Sequence, residues 1–362
     1  MSLRLLCIVL CLFGVQPAVA GETTLPTVDP SFDVAVTTGL VYGVGEVQAP
    51  IPGLKDLLLD LYEPTAAGAH GELLPALVII HGGGFFGGSR QQEHLVQIAN
   101  EMATRGYVVV SIDYRLVPDE PVPSPRVEPI LQAMIDGQGG TPTANGVAAV
   151  AAIDDGLTAL DWLREAAGSL GVDPARIGIL GGSAGAITSV HMAYVLDNYG
   201  VPAPALSFVV DLWGGSLIPP DDPAAAAAHL EAGEPPLFVI HGIEDRSVPV
   251  ELSELLVARA LEQGVVHEYH PIEGAGHGFG SIDLFNREVT PGVTLFDRVL
   301  IWSREVLMSS PMFVDSFESG DTSAWSSTSP LAVARHASVE KRVTASRNGS
   351  PPGAIGIYTL TR

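Results

Sequence analysis

Ile177-Gly-Ile-Leu-Gly-Gly-Ser183-Ala-Gly185 carries a short apolar strand pattern straight into Gly181-Gly182-Ser183-Ala184-Gly185, a G-x-S-x-G pentapeptide. A serine at such a strand-to-helix bend sits in strained backbone geometry. Small residues two positions to either side let the strand meet the following helix closely and lift Oγ clear. Ser183 is therefore the candidate nucleophile. Taken alone, the pentapeptide fits a plain Gly- and Ser-rich turn equally well, so its companions decide.

The first companion lies upstream, where Pro75-Ala-Leu-Val-Ile-Ile80 reads as a central strand and runs into His81-Gly82-Gly83-Gly84-Phe85-Phe86. Backbone N–H groups converge on a developing oxyanion only where side chains do not crowd them, and consecutive glycines leave that freedom. The candidate donors are the amides of Gly83, Gly84 and Ala184. With both motifs the chain resembles the α/β-hydrolase superfamily, which joins G-x-S-x-G to an HGGG-type loop. The resemblance covers roughly residues 37–308 and implies an α/β fold, a mostly parallel central sheet with helices on both faces.

That family orders its machinery as serine, acid, histidine. Leu237-Phe-Val-Ile-His-Gly242 is another apolar run and leads into Ile243-Glu-Asp-Arg-Ser-Val-Pro249. In similar hydrolases an H-G-x-x-D-x-x-V-P stretch carries the acid, and Asp245 matches it. Its task is to accept Nδ1–H of the histidine, fixing tautomer and orientation. Glu244 beside it is expected to be solvated. The histidine is expected at His277 in Glu273-Gly-Ala-Gly-His-Gly-Phe279, where small neighbours leave the ring free to act as base and then as acid. Gly182 departs from the hormone-sensitive-lipase pattern, which has Asp before the serine; the chain looks closer to carboxylesterases and feruloyl-esterase-like enzymes.

Other polar residues take plainer readings. His81 and His241, each beside a glycine at a strand end, are expected to satisfy loop backbone, and His191, His229, His267 and His270 to be ordinary core or surface histidines. Asp113 and Arg115 are expected to pair with each other near the sheet edge, and Asp154 and Asp155 to favour the N-terminus of a helix over 156–167. No histidine or further carboxylate stands at ligand spacing from that acidic pair, so no metal is expected, and nothing calls for a cofactor.

Strand-like runs at 57–62, 77–80, 107–113, 177–180, 208–212, 237–242 and 265–272 alternate with helical patterns at 94–104, 156–167, 184–198, 251–263 and 293–308, the signature of a largely parallel sheet. Ligands of such sheets gather beyond the carboxyl ends of the strands. Two long segments leave those ends: 114–150, rich in Pro and Gly, and 213–236, with Pro219-Pro220 and the alanine run 224–228. Neither has the long amphipathic helix of a lipase lid, which favours small or moderate esters. Phe85, Phe86, Trp213 and Phe279 stand near the motifs, either to line an acyl pocket or to pack in the core.

The first residues carry Arg4, an apolar stretch over 5–15 and Pro17-Ala-Val-Ala20 before Gly21, the pattern of a cleavable signal peptide spanning 1–20. The stretch is too short to cross a bilayer, and stable membrane insertion is not expected. Cys7 and Cys11, the only cysteines, lie inside it, so the mature chain depends on its core and not on disulfides. A net charge of -23 repels phosphate and argues against nucleic acid or anionic membrane as partners. The catalytic domain is placed at 21–308. Residues 309–362, rich in Ser and Thr with few apolar positions, read as a flexible tail with a possible sorting or attachment role.

The sequence thus points to a secreted or periplasmic serine hydrolase cleaving small-molecule carboxylic esters through an acyl-enzyme. A prolyl-oligopeptidase-like serine peptidase and a non-catalytic binding module on the same fold are the alternatives.

Overall fold

The computed structural model describes residues 25–65 and 73–309. The signal peptide at 1–20 and the tail at 309–362, Ser309 apart, lie outside them. Among the described residues nine strands form one sheet, in the order β5-β1-β2-β4-β3-β6-β7-β8-β9. They are β1 (Val34–Val47), β2 (Gly53–Pro64), β3 (Leu74–Ile80), β4 (Val108–Ile112), β5 (Pro121–Val122), β6 (Val172–Gly182), β7 (Phe208–Leu212), β8 (Leu237–Gly242) and β9 (His267–Ile272). From β4 through β9 every neighbour pair is parallel, while β5, β1 and β2 join antiparallel.

Among the described residues seven α-helices accompany the sheet: α1 (Glu93–Ala103), α2 (Glu128–Gly137), α3 (Ala144–Leu170), α4 (Ala184–Tyr194), α5 (Pro223–Ala227), α6 (Val250–Gln263) and α7 (Leu295–Ser309). The two-residue period of β3 sorts them. Ala76, Val78 and Ile80 join the core shared with α3, α4 and α6, whereas Leu77 and Ile79 join the core under α1 and α7. Alternate side chains of a strand must face opposite layers, so an unbroken apolar run such as Leu77-Val-Ile-Ile80 needs helices on both sides. The expected α/β-hydrolase architecture is what forms.

Three local expectations are corrected. The helix expected over 156–167 begins twelve residues earlier, at Ala144, where the Thr143 hydroxyl accepts the Gly146 N–H at 3.0 Å. Asp154 and Asp155 therefore sit mid-helix and do not cap anything. The segment 114–150 is not an open loop: it holds α2 and the first turns of α3. The helix expected over 184–198 stops at Tyr194, and Gly200 closes the following turn in a left-handed conformation (φ 73°).

Candidate active site

The β6–α4 junction shows why this pentapeptide needs its glycines. Ser183 is held at φ 54°, ψ −120°, a backbone region that costs a non-glycine residue about 1–3 kcal/mol and persists only where its surroundings impose it. A methyl group on Gly185 would lie 2.1 Å from the Ile80 carbonyl oxygen, and one on Gly181 would lie 2.2 Å from the Gly185 carbonyl carbon. Bare backbone at both positions lets α4 start directly against β3 and β6. The Ser183 amide is spent on the Leu212 carbonyl at 2.9 Å, which pins the bend to β7.

Two further loops reach this bend. His277, after β9, places Nε2 2.8 Å from Ser183 Oγ and Nδ1 2.6 Å from Asp245 Oδ2. A carboxylate only accepts, so Nδ1 carries the hydrogen and Nε2 is left to accept from the serine hydroxyl. Asp245, after β8, has its other oxygen held by the amides of Ser247 and Val248 at 2.8 and 3.0 Å. Burial works to raise its pKa, but hydrogen bonds from His241, His277 and these amides outweigh that and hold the carboxyl well below its ordinary value. The acid is thus ionised and oriented wherever the protein is folded at ordinary pH. Glu244 is exposed, as expected.

The HGGG loop lies against the serine: a methyl on Gly82 would come within 3.2 Å of Ser183 Cβ. Gly83 and Gly84 both take positive φ, 123° and 63°, and Gly83 O closes the loop by accepting the amides of Phe86 and Gly87 at 3.1 Å. The N–H groups of Gly83, Gly84 and Ala184 have no hydrogen-bond acceptor among the described residues. His81 below them is structural: its ring stacks on Tyr114 with centroids 4.2 Å apart, and its pKa is lowered by burial.

The expected Asp113–Arg115 pair does not form. Asp113 binds the backbone N–H and guanidinium of Arg90, which also engages buried Asp60 at 2.7 Å, so Asp113 anchors the far end of the HGGG loop. Arg115 turns the other way and is buried between Asp154 (3.0 Å) and Asp155 (2.7 Å) on α3. Both partnerships lie outside sequence reach, because the fold alone brings Arg90 to β2 and the end of β4, and Arg115 to α3. Of the aromatic residues near the motifs, Phe85 and Trp213 are buried and Phe86 is exposed. Phe279 stacks on His94 and meets the edge of Trp213. His191 is buried and accepts the Leu217 amide, with its pKa pushed down to about 3 by burial.

Among the described residues no group of three His, Cys, Asp or Glu is placed to hold a metal ion, and no helix is long and apolar enough to cross a membrane.

Three family models match consecutive stretches of the chain: BD-FAE over residues 59–134, the alpha/beta hydrolase fold over 147–217 and the prolyl oligopeptidase family over 220–300. Each model covers less than half of the chain, and together with the sheet topology they support an α/β-hydrolase fold. Among solved structures, esterase 2 of Thermogutta terrifontis, phosphonylated by cyclosarin, superposes with a TM-score of 0.53 at 25% identity, covering 77% of this chain and 94% of that one. Carboxylesterase NlhH of Mycobacterium tuberculosis is 33% identical over 150 residues, 41% of this chain and 37% of its own length. Esterase LipC of the same species is 27% identical over 227 residues, 58% of this chain and 54% of its own. The chain thus spans well under two thirds of the length of these curated relatives.

Proposed function

We propose that the protein is a serine carboxylesterase. The observation that carries this reading is the unbroken relay from Asp245 Oδ2 through His277 to Ser183 Oγ, at 2.6 and 2.8 Å. Ser183 attacks the ester carbonyl while His277 takes its proton, giving a tetrahedral intermediate that becomes the acyl-enzyme when the ester C–O bond breaks. His277 then returns that proton to the leaving alcohol and later activates water for deacylation. The oxyanion is bound by the N–H groups of Gly83, Gly84 and Ala184, which have no other acceptor among the described residues.

Esters of short or moderate acyl length are the proposed substrates. The two segments beyond the strand ends meet each other: Pro220 lies against Gly137 at the end of α2. α2 itself is only ten residues long and buries Ile130 and Met134 in the core, which does not suit a lid that opens on a lipid surface. The carboxylesterase and esterase names of the relatives support ester chemistry. Export to the periplasm or medium after cleavage near Ala20 is proposed from the residues over 1–20.

A peptidase is the second reading, favoured by the prolyl-oligopeptidase match over 220–300. One screen separates them: kcat/KM on nitrophenyl esters from two to sixteen carbons, feruloyl esters and aminoacyl anilides. The proposal expects a maximum at acetyl or butyryl. Anilides as the best substrates would make the protein a peptidase, and a maximum at the long end or a jump on emulsions would make it a lipase.

A further inference from the structure

We infer that His241 is a positioning residue for the acid of this site, setting the rotation of the Asp245 carboxylate from inside the protein. The inference rests on the serine-esterase reading above and goes beyond it by assigning work to an imidazole that touches neither Ser183 nor His277.

His241 stands near the end of β8, and its side chain and that of Asp245 are both fully buried (0% exposed). Its Nδ1 lies 2.7 Å from Ser253 Oγ on α6, and its Nε2 lies 3.0 Å from the Val248 carbonyl. The same Nε2 is 3.3 Å from Asp245 Oδ2. A carbonyl and a carboxylate both only accept, so Nε2 must carry a hydrogen, shared between them. A neutral ring then has Nδ1 free to accept the Ser253 hydroxyl proton. Every polar atom of the imidazole is satisfied without burying a positive charge, the cheaper state in a site closed to water.

The consequence lies in which oxygen is used. Oδ1 is held by the amides of Ser247 and Val248, whereas Oδ2, the oxygen that receives His277 Nδ1, is approached among the described residues by one other donor, His241. Removing the ring leaves the charge and the Oδ1 bonds in place but frees Oδ2 to swing away from His277. It also releases the Val248 carbonyl that tethers the 245–248 turn to β8. A fault of this kind degrades proton transfer more than substrate binding, so it appears in kcat and not in KM. Second-layer partners of this type are typically worth 10–100-fold where they orient a functional ligand.

The test is a double-mutant cycle on nitrophenyl acetate, with Ser183→Ala alongside and thermal unfolding recorded for each variant. His241→Phe should lower kcat about 10–50-fold with KM within about twofold. His241→Gln, whose Nε2–H reaches the same place, should recover to within about fivefold of wild type. In an Asp245→Asn background, His241→Phe should change kcat by less than about twofold, because its target is already gone. Ser253→Ala, which removes only the group fixing the ring, should show a smaller loss of about 3–10-fold that is also silent beside Asp245→Asn, so the inference stays testable even if His241→Phe does not fold. With Ser183→Ala inactive, the inference is overturned if His241→Phe or Ser253→Ala keeps wild-type kcat, or if either lowers kcat equally with and without Asp245. A Ser183→Ala protein that retains turnover overturns the esterase reading and the inference with it.

Discussion

Adding one methyl group at Gly185 should abolish the proposed ester hydrolysis, while the same methyl at Gly182 should leave it intact. At Gly185 the new carbon would lie 2.1 Å from Ile80 O and 2.7 Å from His81 O. Relief to an ordinary contact near 3.4 Å requires a shift of roughly 1 Å between the start of α4 and the end of β3, since neither backbone oxygen can rotate away. Ser183 Oγ sits 2.8 Å from His277 Nε2, so a displacement of that size takes it out of hydrogen-bond reach, and misplacement by 1 Å costs on the order of 10²-fold in rate. At Gly182 the nearest atoms to the methyl would be those of the Trp213 ring, at 3.6 Å, an ordinary van der Waals contact. Gly185→Ala should therefore lose about 10²-fold or more in kcat on nitrophenyl acetate, and Gly182→Ala less than about threefold. Steady-state kinetics with a thermal melt for each variant decides it. Similar kcat values for the two variants, in either direction, refute the steric reading of the elbow.

Three other outcomes follow from the same contacts. Asp245→Asn should cost far more in kcat than Glu244→Gln, by about 10³-fold or more, since an amide at 245 can stabilise the wrong tautomer of His277 whereas Glu244 is exposed; equal losses would mean the acid is misplaced. Burial holds the Asp211 carboxyl up at about 6, against an unfolded value near 3.9. The folded state therefore binds the extra proton between those values, and stability falls as pH rises from about 4 to about 6, then levels. Asp211→Asn keeps the Oδ1 acceptor for the Gly214 amide and should gain about 3 kcal/mol on wild type across that window in urea unfolding; parallel pH curves would contradict this. Arg115→Met strands Asp154 and Asp155 in a buried site and should destabilise by about 3–5 kcal/mol, read as a fall in the urea midpoint; a loss below about 1 kcal/mol would show that the pair is solvated.

The parallel strands and the three loops of the site were legible in the sequence because their physics is local. A strand buried on both faces reads as an unbroken apolar run, and a bend with no room for side chains reads as glycine. β1 was missed for the opposite reason. Its outer residues, among them Val36, Val41 and Val44, are exposed, and register shifts after Thr37 and Val41 interrupt its alternation. The true length of α3 was hidden because its first half is buried nearly all round, so no polar stripe marks a helical period. The partners of Arg115 lie 39 and 40 residues away, a distance over which only the folded arrangement selects the pair. His241 was correctly read as a loop-satisfying histidine, but the H-G-x-x-D spacing does not say that the same nitrogen reaches the acid.

Covalent titration of Ser183 tests the central claim most directly. The protein is treated with an organophosphonate, the adduct is counted by intact mass and mapped by peptide, and hydrolysis of nitrophenyl acetate is followed in the same samples. One adduct per chain on the peptide bearing Ser183, activity falling in proportion to labelling, and a Ser183→Ala protein that is neither labelled nor active are the predicted results. Full labelling with turnover retained, or a Ser183→Ala protein with a tenth of wild-type activity, would contradict the assignment of Ser183 as the nucleophile.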